Sequence, residues 1–145
     1  MKNTEFDERQ VLIRGKAYEH GFIVTMLTLL INAFLNSYDI IWADGFKQNL
    51  LILVLVFTVI SVELNLRGAF FGRKVSPVAL LVVVCAPTVI LAVLNIHHFI
   101  KGAVFTDGGM LTDEGFGVIF CILFAINVTT GIIQYIRTKK QEKEK

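Results

Sequence analysis

Charge is missing from two long stretches of this chain: no charged residue lies between Asn49 and Val62, and none between Val75 and Asn95. Over the whole 145 residues only 18% are charged, against about a quarter in a soluble domain. Cysteine is scarce as well. Cys85 and Cys121 form no C-x-x-C pair, and they fall at different depths of successive apolar runs. A disulfide needs Cα atoms within about 7 Å, so both are read as small buried apolar residues. The chain also lacks a glycine-rich phosphate loop, a Ser-His-Asp arrangement and an HExxH motif, which removes the common signatures of nucleotide hydrolysis and of hydrolytic or zinc-dependent catalysis.

What is present is apolar, 54% of the residues by count. Crossing the hydrocarbon of a bilayer takes about 20 mostly apolar residues in a helix. Four runs meet that length: 21–43, 48–66, 77–100 and 115–136. A soluble bundle would show a polar stripe at the helical period, whereas Leu50–Ile60 (LLILVLVFTVI) offers only Thr58. The expectation is an all-α integral membrane bundle of four transmembrane helices with short loops. Residues 1–20 form a cytoplasmic lead-in and 137–145 a basic cytoplasmic tail. The first run is too long and too far from the start for a cleavable signal, and no small-x-small site follows it.

Orientation follows from the basic residues, which collect on the cytoplasmic side. Lys2, Arg9, Arg14 and Lys16 precede the first run. Arg67, Arg73 and Lys74 lie between the second and third, and Arg137, Lys139, Lys140, Lys143 and Lys145 close the chain. With four spans these share one side, leaving Lys47 and Lys101 on the other. Both termini are therefore expected in the cytoplasm of a cell. On the outer side, Ala43–Lys47 (ADGFK) reads as a tight turn, and Lys101–Glu114 (KGAVFTDGGMLTDE) as the flexible loop. Ser76-Pro77 is an N-cap and first-turn proline, and Thr112 or Asp113 can cap the fourth helix. Trp42, Tyr38 and Tyr135 sit at interface depth.

The opening residues raise their own question. Thr4-x-x-Asp7 resembles a capping box, and a helix from about Glu5 would lack a clean amphipathic stripe, so the lead-in is expected to lie along the headgroups and run into the first span. Arg14 and Lys16 can meet anionic lipid there, worth about 1 kcal/mol each. Asp7-Glu8-Arg9-Gln10, Arg14-Gly15-Lys16-Ala17-Tyr18 and Gly21-Phe22 resemble the opening of a family of small four-helix membrane proteins of unknown function from Gram-positive bacteria. The resemblance covers about the first 35 residues. It implies a regulated accessory role in the membrane, because such proteins often stand beside helix-turn-helix regulators, and it assigns no catalytic residue.

Polar groups within the spans are costly, roughly 2.5–3.5 kcal/mol for an ionised side chain on insertion scales. Glu63 lies near the inner end of the second run with Arg67 one turn on, in the favourable order for an ion pair. Asn32 and Asn127 fall halfway along the first and fourth runs, with Asn36, Thr58, Thr129 and Thr130 nearby. Such amides usually bond between helices, and an Asn32–Asn127 contact is expected if the outer helices are neighbours. His97 and His98 end the third run. Adjacent positions on a helix point about 100° apart, so a metal would need help from Asp107, Asp113 or Glu114; wet interfacial histidines are the simpler reading. Pro87 should kink the third helix and free the carbonyl of Val83. Gly68-Ala69-Phe70-Phe71-Gly72 matches G-x-x-x-G at a helix exit.

These features point to a non-enzymatic accessory or regulatory membrane protein that acts through helix–helix or lipid contacts. It needs no cofactor or metal, and nucleic acid is not among its expected partners because its basic residues are flanks of spans. The alternative is a small transporter or channel subunit working as a homo-oligomer, with Glu63 as its carboxylate. A membrane enzyme using the outer histidines is the third possibility.

Overall fold

The computed structural model describes residues 7–70, 88–90, 92–97, 100–102 and 104–143. Its main elements are three long helices: α1 (Glu8–Ser37), α2 (Gly45–Leu66) and α4 (Asp113–Lys143). Between α2 and α4 lie a shorter apolar helix, α3 (Thr88–His97), and a two-stranded hairpin of β1 (Thr106–Asp107) and β2 (Met110–Leu111). The protein is mostly helical, and α1, α2 and α4 are each long and apolar enough to cross a membrane. The third expected span, 77–100, lies largely outside the described residues, as do Ser76-Pro77, Cys85, Pro87 and His98.

Helix α1 starts where its chemistry allows. Asp7 caps it by accepting from the Gln10 amide at 2.7 Å, and the Gln10 side chain accepts in return from the Asp7 amide. The capping box is thus Asp7–Gln10, one turn beyond the Thr4–Asp7 pair favoured from sequence. A 30-residue helix is about 45 Å long, against a hydrocarbon core of about 30 Å, and residues 8–20 of the lead-in are its first turns. The helix stops at Ser37 rather than at Ala43. Asp39 takes the left-handed conformation (φ 58), the amide of Ile40 reaches back to Leu35 O at 2.9 Å, and that of Asp39 to Asn36 O. This Schellman closure is open to Asp because its short polar side chain tolerates that region.

Helix α2 is capped by Asp44, which accepts from the Lys47 amide. It ends in a second Schellman closure. Gly68 has φ +68, Ala69 N bonds Leu64 O at 2.8 Å and Gly68 N bonds Asn65 O, while Leu64 and Ala69 pack in one buried cluster. Gly68 is therefore a helix stop, and the small-residue contact lies elsewhere. A methyl group at Gly21 would run into the Ile60 side chain, and Ala17, one turn earlier, is fully buried beside Leu64. Ala17-x-x-x-Gly21 brings α1 and α2 together in the small-x-x-x-small manner.

The outer segment expected to be a flexible loop is ordered in its second half. Thr106 pairs with Leu111 and Asp107 with Met110, around Gly108-Gly109, whose positive φ values (55 and 85) suit the two-residue turn that matches strand twist. Thr112 then caps α4. Its hydroxyl accepts from the Gly115 amide at 3.0 Å and contacts the carbonyls of Val104 and Phe105. Helix α4 runs without a break to Lys143, so the basic tail continues the helix beyond Ile136 through that residue.

Helix α2 is the centre of the arrangement. Its buried positions, among them Gln48, Leu51, Thr58, Ser61 and Asn65, serve both α1 and α4. Contacts fix direction: Lys47 meets Asp113 at one end, Asn65 meets Thr130 towards the other. α2 and α4 are therefore parallel, and α1, whose start lies against the end of α2, is antiparallel to both.

Candidate functional site

Polar side chains gather at three levels. The first is the end of the bundle shared by the start of α1, the end of α2 and the last turns of α4. Here Glu63 is bridged. His20 Nδ1 lies 2.7 Å from Glu63 Oε2, and Arg67 Nη2 stands 3.0 Å from Glu63 Oε1. The carboxylate is mostly buried while His20 and Arg67 are about half exposed, so both side chains reach water while holding it. Together with Thr58 and Val62 they line a cavity of about 430 Å³. Nearby, Gln10 Nε2 donates to Gly68 O and Arg14 Nη1 to Ala69 O, which satisfies carbonyls at the negative end of the α2 dipole. Arg14 also donates to the Tyr18 hydroxyl at 3.0 Å.

Beside these groups opens a polar cleft of about 770 Å³, walled by Asp7, Arg9, Gln10, Arg67, Gln134 and Arg137 among others. Arg67 has its ion pair with Glu63 and Asp7 its cap. Among the described residues, no hydrogen bond or ion pair is made by Arg9 or Arg137.

The second level is the middle of the α2–α4 seam. Asn127 Nδ2 donates to Thr58 Oγ1 at 3.0 Å and to Leu123 O. Asn65 Nδ2 reaches Thr130 Oγ1 at 3.4 Å. Asn127 Oδ1, Asn65 Oδ1 and Ser61 Oγ are buried and have no hydrogen-bond partner among the described residues.

The third level is the opposite end. Trp42 Nε1 donates to Asn32 Oδ1 at 2.8 Å, and Asn32 and Asn36 both donate to Gln48 Oε1. Gln48 in turn donates to Ala43 O at 2.7 Å, and Leu111 N to Trp42 O, so the α1–α2 connection is tied to both helices and to the hairpin. Lys47 bonds Asp44 at 2.9 Å and Asp113. The Lys47 side-chain hydrogen bond, and after it the Lys47 backbone amide, hold the Asp44 carboxyl below its ordinary value. An apolar cavity of about 350 Å³ lies under Trp42, lined by Thr28, Asn32, Leu51, Leu55 and Leu123.

Asn32 and Asn127 thus do not bond to each other; each turns to α2, because α2 stands between their helices. The structure adds His20 to Glu63 and Arg67. Its link to Glu63 spans 43 positions, and the only sequence signal was that the entry of α1 and the exit of α2 share one depth. His97 and Asp107 are not brought into a group: among the described residues no three His, Cys, Asp or Glu side chains gather to hold a metal ion. Cys121 is a free thiol that receives the Asn95 amide at 3.4 Å, where α3 packs so near α4 that a methyl at Gly117 would strike Asn95. Comparison of the chain with protein-family models, curated proteins and solved structures finds no match.

Proposed function

We propose that this chain is a four-span protein of the cell membrane, with both termini in the cytoplasm, that acts without catalysis, as an accessory or regulatory subunit making contacts through its helix faces. The parallel course of α2 and α4 supports the span count. If both cross the bilayer, the chain between them has to cross back an odd number of times, and the uncharged stretch Val75–Asn95 lies in that interval. The basic residues support the orientation. The two guanidiniums that make no ion pair among the described residues, Arg9 and Arg137, are at the end assigned to the cytoplasm.

One observation carries the contact role. Only 6% of the most apolar stretch of α1 and 11% of that of α4 are buried inside the fold, against 39% for α2, while the amides Asn32, Gln48 and Asn127 spend hydrogen bonds inward. Lipid or another helix therefore meets the outer faces of α1 and α4. Cross-linking in native membranes, followed by purification in mild detergent, should recover a stoichiometric partner or a homo-oligomer. A lone monomer would count against the reading.

The His20–Glu63 contact favours a second reading, a small transporter or channel subunit working as a homo-oligomer, because a carboxylate touching a histidine in a cavity can exchange a proton. Glu63→Gln should then abolish flux in vesicles; unchanged flux removes this reading.

A further inference from the structure

We propose that the cleft between the start of α1, the end of α2 and the last turns of α4 is a binding site for the phosphate of an anionic lipid headgroup. The inference rests on the membrane reading above. Three guanidiniums, Arg9, Arg67 and Arg137, come from three different helices to wall one cleft of about 770 Å³, with Asp7 the acid among its lining residues. Arg67 is already paired with Glu63, and the Asp7 carboxylate is turned to the Gln10 amide. That leaves Arg9 and Arg137, which make no ion pair among the described residues, facing a shared space in which Asp7 is the one lining acid. A guanidinium offers a planar fork of donors that matches phosphate oxygens, and two from opposite walls can hold one phosphate between them.

The wall chemistry selects the source of that phosphate. Ile13 and Leu66 also line the cleft, so apolar side chains stand among its polar ones, where α1 and α2 enter their long apolar stretches. A free phosphate has no use for the apolar margin, whereas a phospholipid places its glycerol and first methylenes there. The level agrees, since Arg9 lies in the first turn of α1, Arg67 caps α2, and Arg137 follows the apolar run of α4.

The test uses the full chain in nanodiscs of phosphatidylcholine alone or with phosphatidylglycerol, and short-chain phosphatidylglycerol as the titrated probe in detergent. Arg9→Gln/Arg137→Gln should weaken phosphatidylglycerol binding about thirtyfold, about 2 kcal/mol at roughly 1 kcal/mol per cation. Lys139→Gln/Lys140→Gln removes the same charge from the same end of the bundle but outside the cleft, and should cost less than about threefold, because salt screens exposed charges that do not touch the lipid. Equal losses in the two double variants overturn the site, because binding is then diffuse attraction. Inorganic phosphate that binds as tightly as the lipid overturns the lipid assignment. Should the double variant fail to fold, Arg137→Gln alone should lose about fivefold, and an unchanged affinity overturns the proposal. A failure of the membrane reading looks different: the protein would then stay dispersed without detergent and would not enter nanodiscs at all.

Discussion

The two ends of the bundle handle charge in opposite ways. At one end Lys47 is held by two carboxylates, Asp44 and Asp113, and beside them Trp42, Asn32, Asn36 and Gln48 exchange hydrogen bonds in a closed set. At the other end Glu63 is shared by His20 and Arg67, Arg14 is spent on the Ala69 carbonyl just past α2, and Arg9 and Arg137 face a cleft. One end carries more acids than bases, with Asp39, Asp107 and Glu114 beyond the Lys47 cluster, and uses its amides to fix a turn. The other keeps cations in excess. Anions from outside are the natural partner of the second end and would find little to bind at the first.

Breaking what the ends share should have the largest effect. Gly21→Val forces atoms into the space of Ile60, and such overpacking costs about 1–3 kcal/mol; thermal unfolding in detergent should fall, and amide exchange should quicken at both ends together. Exchange that quickens at one end alone would show that the seam does not couple them. Next comes Trp42→Phe, which leaves the Asn32 carbonyl without its indole donor at a cost of about 1–2 kcal/mol. Exchange should quicken around residues 38–48 and stay unchanged around Gly68.

Arg14→Ala is the counterpart at the basic end. Loss of the bond to Ala69 O should cost about 1 kcal/mol and loosen residues 64–70, leaving the Trp42 indole signal in place. The smallest effect concerns pH. The Asp44 carboxyl sits below its ordinary 3.8. A lowered folded value stabilises the fold above the unfolded value, and that contribution is lost as pH falls through the folded one. Protein with Asp44→Asn should therefore lack part of the acid-side decline below about pH 3.8 that the natural chain shows in a melting series.

Hydropathy alone made the long apolar helices legible, because length and the absence of charge decide what can sit in hydrocarbon. Their ends were less so. Asp39 gave no warning that it would take the left-handed conformation and stop α1 at Ser37, since that is a decision of the connection and not of propensity. The continuation of α4 to Lys143 was hidden because a basic, polar tail reads equally as coil or as projecting helix. Polar partners were the least legible. Asn32 and Asn127 are equivalent in sequence, both mid-run amides, yet one closes on Trp42 and Gln48 and the other on Thr58. Which amide meets which helix depends on α2 standing in the middle, a fact of packing that no local pattern encodes. His20 escaped notice for the same reason.

The unbroken course of α4 has a mechanical consequence. The 25 residues from Asp113 to Arg137 form one strut of about 36 Å, gripped near its top by Thr112 and the hairpin and near its foot by Asn65. A stiff rod held at two points cannot tilt at one extremity without swinging the other. Whatever grasps Arg137 at the foot therefore tugs on the hairpin at the top, and a force on the hairpin shifts the grip below.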